Sequence, residues 1–268
     1  MSSPIIIGIS GKKQSGKSSL CNFIEASIKQ QDYARKGGSC SFAQDDVGNI
    51  EWIFAPGNVE AHRSERLDPP LVSVYSFADR LKSDVCVNLL GLTIEQVYGT
   101  DEQKNQLTNF TWDRLPQSIA FQYSNEYVTI QNPLSEDGED FMHVPRTGRM
   151  TAREVMQVVG TDVFRKMFDD QIWVNSTYSR IARDKPKYAI ISDVRFRAEV
   201  DSIISRGGYV IRLGRQVAGD NHASEIDLDG YDWLKHSDKA FYVENDDWTI
   251  HQKNAFVYDW LAQRTLIG

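Results

Sequence analysis

The chain has little cysteine: Cys21, Cys40 and Cys86 are the three thiols in 268 residues. They make no Cys-x-x-Cys pair and have no histidines at zinc-ligand spacing, which points away from a disulfide framework and from a structural metal. A reducing cytoplasm is the expected setting. No apolar run comes near the roughly 20 residues needed to span a bilayer, and the short apolar start over residues 1–9 runs straight into a glycine and lysine loop, unlike a signal peptide. An excess of basic residues is missing too. The formal net charge of -7 argues against broad affinity for duplex nucleic acid, which needs a basic face, but leaves room for a pocket that takes one small anion. Internal repeats, low-complexity tracts and the guanine-specifying sequence Asn-Lys-x-Asp are also missing.

What is present is an ordinary globular composition, 41% hydrophobic and 25% charged, in a chain long enough to build a core without staples. Residues 4–10 form a β-branched run of the kind buried on both faces of a parallel sheet. After a glycine loop, Leu20, Phe23, Ile24 and Ile28 recur at helical spacing, which predicts a helix over 18–29. Residues 32–70 turn polar and rich in glycine and proline, with one strand-like island at 50–54, and read as an insertion. A strand over 71–77 leads into a helix from about 78, and alternating runs such as 127–130 predict a small hairpin within 108–145. Helices are expected over 151–167, 172–183, 195–205 and 247–261, and strands over 188–192, 209–213 and 239–243. Such alternation predicts an α/β fold, a mostly parallel sheet with helices on both faces.

The segment Gly11, Lys12, Lys13, Gln14, Ser15, Gly16, Lys17, Ser18 matches G-x-x-x-x-G-K-[ST] in full, after an expected strand and before an expected helix. Its glycines let the backbone turn so that successive N–H groups point at a phosphate, and the helix start adds its positive end. Lys17 would reach the β- and γ-phosphates, and the Ser18 hydroxyl would ligate magnesium. GTPases, motor ATPases and small-molecule kinases share this loop, so it does not name the acceptor.

Asp193 follows the expected strand 188–192, on the edge where sheets of this kind bind ligands. It could hold magnesium, directly or through water, or it could cap the next helix. Arg195 and Glu199 stand four apart, as a ligand with its neighbour or as a helical ion pair. Over 151–163, helical spacing puts Arg153, Gln157, Gly160 and Thr161 on one face and Val155, Val158, Val159 and Val163 on the other. A cation, an amide, a gap and a hydroxyl in one line suit a phosphate, a base and a close ring approach, and a solvated surface explains them equally.

Taken in order, the loop 10–17, the stretch 156–162 with Ile172, Trp173 and Val174, the pair Asp193 and Arg195, and His222 to Glu225 resemble the bacteriophage deoxynucleoside monophosphate kinases. The resemblance runs from residue 5 to about 228 and implies an elaborated adenylate-kinase-like P-loop fold that transfers the γ-phosphate of ATP, with Mg2+, to a deoxynucleoside 5′-monophosphate. It implies that Lys13 and Lys82 approach the acceptor phosphate with Arg114 and Arg153, that Gln157, Gly160, Thr161 and Trp173 line the nucleoside pocket, and that Asp193 and Arg195 serve the substrates. Arg215 resembles a lid arginine that reaches the transferred phosphate. The implied organisation is one P-loop kinase domain over 1–268, with the insertion 32–70, a hairpin and acceptor-binding region at 101–150 and a lid at 214–234. Residues 32–70 have no counterpart in the family pattern, and Asn175 stands where a basic residue can occur. The partners implied are small molecules, with no nucleic acid polymer and no membrane, and a homodimer is compatible.

Phosphoryl transfer asks chiefly for positioning and positive charge around the equatorial oxygens, which Lys17, Arg153, Arg195 and Arg215 would supply. Two other readings fit the loop alone: a kinase of another phosphorylated metabolite, and a nucleotide-dependent switch or DNA-processing ATPase. Trp173 and Gln157 suit a nucleobase better than an aliphatic acceptor, and the acidic charge disfavours a DNA track.

Overall fold

The structure is a computed structural model that describes residues 3–54, 69–124, 127–131, 139–215, 227–236 and 238–267. The stretch His222 to Glu225, much of the expected lid and part of the expected insertion lie outside the described residues. In chain order the elements are β1 (Ile5–Gly11), α1 (Lys17–Arg35), β2 (Cys40–Gln44), β3 (Ile50–Phe54), β4 (Val72–Tyr75), α2 (Leu81–Leu89, a π-type helix), α3 (Ile94–Tyr98), α4 (Asp101–Lys104) and β5 (Leu107–Thr111). They continue with α5 (Gln117–Gln122), β6 (Tyr127–Gln131), β7 (Glu139–His143), β8 (Arg149–Thr151), α6 (Ala152–Gln157, running on as π-type turns over Val158–Phe168) and α7 (Ile172–Asp184). The last are β9 (Tyr188–Val194), α8 (Arg197–Ser205), β10 (Tyr209–Leu213), β11 (Ala240–Val243) and α9 (Ile250–Gln263).

The chain divides into two compact units, one made of Met1–Phe77 with Val174–Gly268, the other of Ala78–Trp173. The first carries a five-stranded parallel sheet in the order β11-β10-β1-β9-β4. β1 is central, with Ile7 opposite Tyr209 on one side and Ile190 on the other. That position explains its unbroken apolar run, since both of its faces are covered. On one face Ile7 and Ile9 pack with Leu20 and Ile24 of α1 and Val257 and Leu261 of α9. A side chain of this kind, fully buried, contributes roughly 1.5–3 kcal/mol. On the other face a Cβ at Gly8 would come within 2.6 Å of Ile203 Cδ1, so a residue without a side chain lets α8 lie close against the strand.

β9 runs two residues beyond the predicted strand and takes in Asp193 and Val194. α1 runs on to Arg35 and so absorbs the start of the expected insertion. The next part of that insertion is an antiparallel hairpin, β2 with β3, in which Phe42 lies against Trp52, Trp52 stacks on Phe54 and Phe23 of α1 meets Phe42 edge-on.

The second unit has its own core, including Cys86, Trp112, Ile119, Met150, Val155 and Val158. α3, α4 and α6 each start with a reciprocal threonine cap: Thr93 with Gln96, Thr100 with Gln103 and Thr151 with Glu154. Each pairing satisfies backbone donors that a helix start otherwise leaves open. The predicted hairpin is β6 with β7, and a second antiparallel pair, β5 with β8, accompanies it. The predicted helix over 151–167 forms, but it widens from α to π-type at Val158. No described helix is long and apolar enough to cross a membrane.

Candidate active site

β1 ends at Gly11 and the chain turns through Lys12 to Ser15 into α1. Gly16 has φ 91 and Gln14 φ 61, so the turn depends on left-handed backbone, and Ser15 N donates to Lys12 O at 3.2 Å. The residue before α1 is Gly16, which has no side chain with which to cap the first N–H groups of the helix. Lys17 Nζ donates to Gly11 O and Lys12 O, each at 2.6 Å, which holds the ammonium on the loop's own carbonyls. Ser15 Oγ is buried there with no hydrogen-bond partner, the sort of orphan that a ligand oxygen would satisfy. Ser18, Lys13 and Gln14 are exposed. Lys12 pairs with Asp229 at 2.9 Å.

The loop is braced from the segment between β11 and α9 and from α9 itself. Asn245, 1% exposed, donates from Nδ2 to Ser15 O at 3.2 Å and accepts from Arg215 N at 3.1 Å. Arg215 Nη2 in turn donates to Asn245 O at 3.1 Å and Trp248 O at 2.9 Å. Lys253, 2% exposed, donates to Gly16 O at 2.9 Å and Ser19 Oγ at 2.8 Å. Burial, and after it the Arg215 charge, push the Lys253 ammonium down to about 8 against a weak opposing effect of Cys21. Beside the loop lies a cavity of about 350 Å³ whose walls include Gly16, Ser18, Arg215, Trp248 and Ile250. Arg215, expected as a lid residue, is thus held on backbone carbonyls at the wall of this cavity.

Asp193 lies inside the end of β9, where its carboxylate accepts from Ser76 Oγ at 2.5 Å and Phe77 N at 2.8 Å. It does not cap the next helix. That work falls to Glu199, 1% exposed, whose Oε2 accepts from Arg195 N at 2.7 Å and Phe196 N at 3.1 Å as α8 begins at Arg197. Arg195 therefore precedes the helix, and Glu199 meets it through the backbone. Burial, then Asp193, push the Cys21 thiol up to about 12 against Lys17, so it stays protonated at neutral pH. Among the described residues no group of three or more His, Cys, Asp or Glu is placed to hold a metal ion.

The remaining expected residues stand in the second unit. Arg153 donates from Nη2 to Asp101 Oδ1 at 2.7 Å and from Nε to Asn105 Oδ1 at 3.1 Å. Gln157 and Thr161 are half-buried, Arg114 is exposed at the end of a 3-10 turn that begins with the buried Trp112, and Lys82 lies 5.6 Å from the centre of the Tyr98 ring. Gly160 is buried, and a Cβ on it would meet Leu81 Cδ2 at 2.4 Å, so the gap read from the sequence is filled by a neighbouring leucine. Trp173, 5% exposed, donates Nε1–H to Gly160 O at 3.0 Å and tilts its ring against Phe164. Gly160 and Trp173 thus form a packing unit that fixes the π-type turns.

Sequence reasoning passed over Asn245, Trp248 and Lys253. A strand followed by a polar turn and a helix, on the same sheet edge as the phosphate loop, is the signal that could have drawn attention to them. Ser76, at the end of β4, escaped for want of any motif.

Residues 103–250 match the family model described as "Deoxynucleotide monophosphate kinase", more than half of the chain and a stretch that begins after the phosphate loop. A protein of Acanthamoeba polyphaga mimivirus, named provisionally as a deoxynucleotide monophosphate kinase, is 29% identical over 169 residues, covering 57% of this chain and 67% of its own length. The deoxynucleoside-5′-monophosphate kinase of Escherichia phage T5 is 32% identical over 77 residues, 29% of this chain and 30% of its own.

Proposed function

Since the chain belongs to the deoxynucleotide monophosphate kinase family, and so uses ATP to phosphorylate a deoxynucleoside monophosphate, we propose how its residues divide that work. The backbone N–H groups of residues 11–18 cradle the donor phosphates, and Lys17 exchanges its two carbonyl partners for β- and γ-phosphate oxygens. Ser18, with Asp193 acting through water, would hold Mg2+, whose charge neutralises the oxygens of the transferred group. Ser76 and Phe77 keep the Asp193 carboxylate aimed. Arg215 and Trp248 belong to the wall that receives the donor nucleoside, and Asn245 ties that wall to the loop at Ser15.

For the acceptor, Arg153 and Gln157 on α6 and Thr161 just beyond it are the side chains we assign, with Lys13, Lys82, Arg114 and Arg195 as further cations for its phosphate. Gly160 and Trp173 act on the acceptor indirectly, by setting the shape of the π-type turns. The acceptor is already an anion, so no strong base is called for. The observation that carries the reading is the full phosphate loop at the end of the central strand with a fixed carboxylate at the end of its neighbour. A homodimer enters as part of this proposal, and sedimentation velocity tests it.

The experiment is ADP release measured across ribo- and deoxyribonucleoside monophosphates, with Mg2+ and with chelator. Release that requires a deoxynucleoside monophosphate and Mg2+ supports the reading. ATP hydrolysis stimulated by DNA and indifferent to monophosphates would overturn it.

A further inference from the structure

The β2–β3 hairpin belongs to the stretch for which the family resemblance has no counterpart, yet its turn is seated on the phosphate-loop helix. Gly48 has φ 95, and a Cβ there would come within 2.5 Å of Ser19 Cβ and 2.9 Å of Ser19 Cα, so the turn's backbone rests directly on α1. Gly48 O accepts from Asn22 Nδ2 and Gln44 Nε2, each at 3.0 Å. The same Gln44 amide donates to Ser19 O at 2.8 Å, while its Oε1 accepts from Asn254 Nδ2 of α9. Gln44 and Asn254 are both buried. A buried amide with this many partners fixes its surroundings, because losing any of them leaves a polar group stranded. Within the turn, Asp45 Oδ1 accepts from Val47 N at 3.0 Å and Asn49 N at 2.8 Å.

This anchoring places two residues of the hairpin in the wall of the cavity beside the loop. Asp46 and Val47 line it together with Gly16, Ser18, Trp248 and Arg215. Val47 is 79% exposed, an aliphatic side chain presented to solvent on a turn that is otherwise polar. The loop takes phosphates, so the adjoining volume of about 350 Å³, with an indole, an isopropyl group and a carboxylate in its wall, is of a size and chemistry for the rest of a nucleotide.

We propose that the β2–β3 hairpin is the donor-selecting element of this kinase: Val47 packs on the donor's base, Asp46 accepts a hydrogen bond from its nucleoside, and Gln44 positions both. The inference rests on the reading of residues 11–18 as the donor phosphate site. A carboxylate only accepts, so its partner is an N–H or O–H group, either the base's amino group or a ribose hydroxyl. Guanine presents a carbonyl where adenine presents its amino group, which gives the turn a means of telling two donors apart.

Calorimetric dissociation constants for ATP, GTP and 2′-deoxy-ATP, measured on the whole chain, test this independently of turnover. Val47→Gly is expected to weaken ATP about tenfold, and Gln44→Leu similarly. The Michaelis constant for the monophosphate and the turnover at saturating ATP should stay within twofold, a split that general damage to the fold would not give. Asp46→Asn should narrow the gap between ATP and GTP if the partner is the amino group, or between ATP and 2′-deoxy-ATP if it is a hydroxyl. Unchanged ATP affinity in Val47→Gly together with unchanged gaps in Asp46→Asn would overturn the proposal. Both residues sit on an exposed turn, so this holds even if Gln44→Leu fails to fold. A wild-type protein that binds ATP but phosphorylates no deoxynucleoside monophosphate would count against the acceptor reading alone, and the binding constants would still judge the hairpin.

Discussion

The phosphate-loop unit and the unit carrying Arg153 present their chemistry in opposite ways. In the first, the groups proposed for the donor phosphates are backbone N–H groups of a loop at a strand end, and the side chains behind the loop, Asn245 and Lys253, are buried and fastened to its carbonyls. In the second, the candidate ligands are partly exposed side chains, and the one with the clearest partners, Arg153, is held by Asp101 and Asn105. A site built from backbone tolerates little variation in sequence and leaves a motif. A site built from side chains on a helix can be assembled from many sequences and leaves only a pattern of spacing.

The largest expected effect therefore falls on the backbone-built site. Lys17→Ala should lower turnover a hundredfold or more, since it removes a cation from oxygens that gain charge in the transition state. A thermal melt within a few degrees of wild type would show that the fold is intact. Near-normal turnover in such a protein would break the comparison at its root. In the other unit, Arg153→Ala should raise the monophosphate Michaelis constant ten- to about a hundredfold, corresponding to roughly 1.5–3 kcal/mol, and leave that of ATP nearly unchanged. Asp101→Asn sharpens the result. The pair is partly exposed, with side chains 29% and 37% accessible, so breaking it should cost the fold no more than about 1 kcal/mol. If Arg153 served only to hold Asp101, the two variants would melt alike and bind the monophosphate alike.

The π-type turns after α6 allow a test of the packing role given to Gly160. Gly160→Ala drives a methyl group toward Leu81 and is expected to destabilise the protein by about 1–3 kcal/mol. Trimming the partner in Gly160→Ala/Leu81→Val should recover part of the loss, visible as a coupling in a double-mutant cycle. Additive losses would mean that Leu81 is not what fills the gap.

Much of the first unit was legible beforehand. β1 follows from a nearly unbroken apolar run and β10 from a short β-rich one interrupted by Arg212, because strands covered on both faces show no alternation to confuse, and the loop between β1 and α1 is fixed by its glycines. Asp193 was found from its place at a strand end, but Ser76 and Phe77, which donate to it, come from the end of β4, a partner that only the sheet order reveals. The α-helical face assigned to Arg153, Gln157, Gly160 and Thr161 rests on a period of 3.6 residues, and the π-type turns from Val158 onward change that period midway. Gly160 accordingly turns inward to Leu81. The hairpin in the expected insertion was visible only as β3, since β2 carries Ser41 and Gln44 among its apolar residues and its Gln44 belongs to a network spanning 210 positions of sequence. Long-range polar contacts of this kind leave no local trace.

The smallest effect concerns the buried lysine behind the loop, and it asks whether the donor site's bracing is bought with stability. The Lys253 ammonium is lowered from 10.5 to about 8, by burial first and the Arg215 charge second. Between these values the unfolded chain keeps a proton that the folded chain has given up, so the unfolded state binds more protons and stability rises with pH. The burden of burying the charge is fully present below about pH 8 and is relieved as pH climbs above it. The slope can reach about 1.4 kcal/mol per pH unit for one group. Other groups act in reverse: the thiols of Cys21, Cys40 and Cys86, raised above 9.0 in the folded protein, lower stability as pH passes 9. Lys253→Met leaves those thiols in place, although it removes the small direct effect of Lys253 on Cys21, so the difference between the two proteins isolates the lysine best between pH 8 and 9. Denaturant titrations at pH 6, 7, 8 and 9 should show a difference that is flat from 6 to 7 and then moves in favour of wild type by about 1 kcal/mol from 8 to 9. A difference that stays flat throughout would mean that Lys253 keeps its proton beside the loop, and that the donor site carries one more fixed positive charge than its burial suggests.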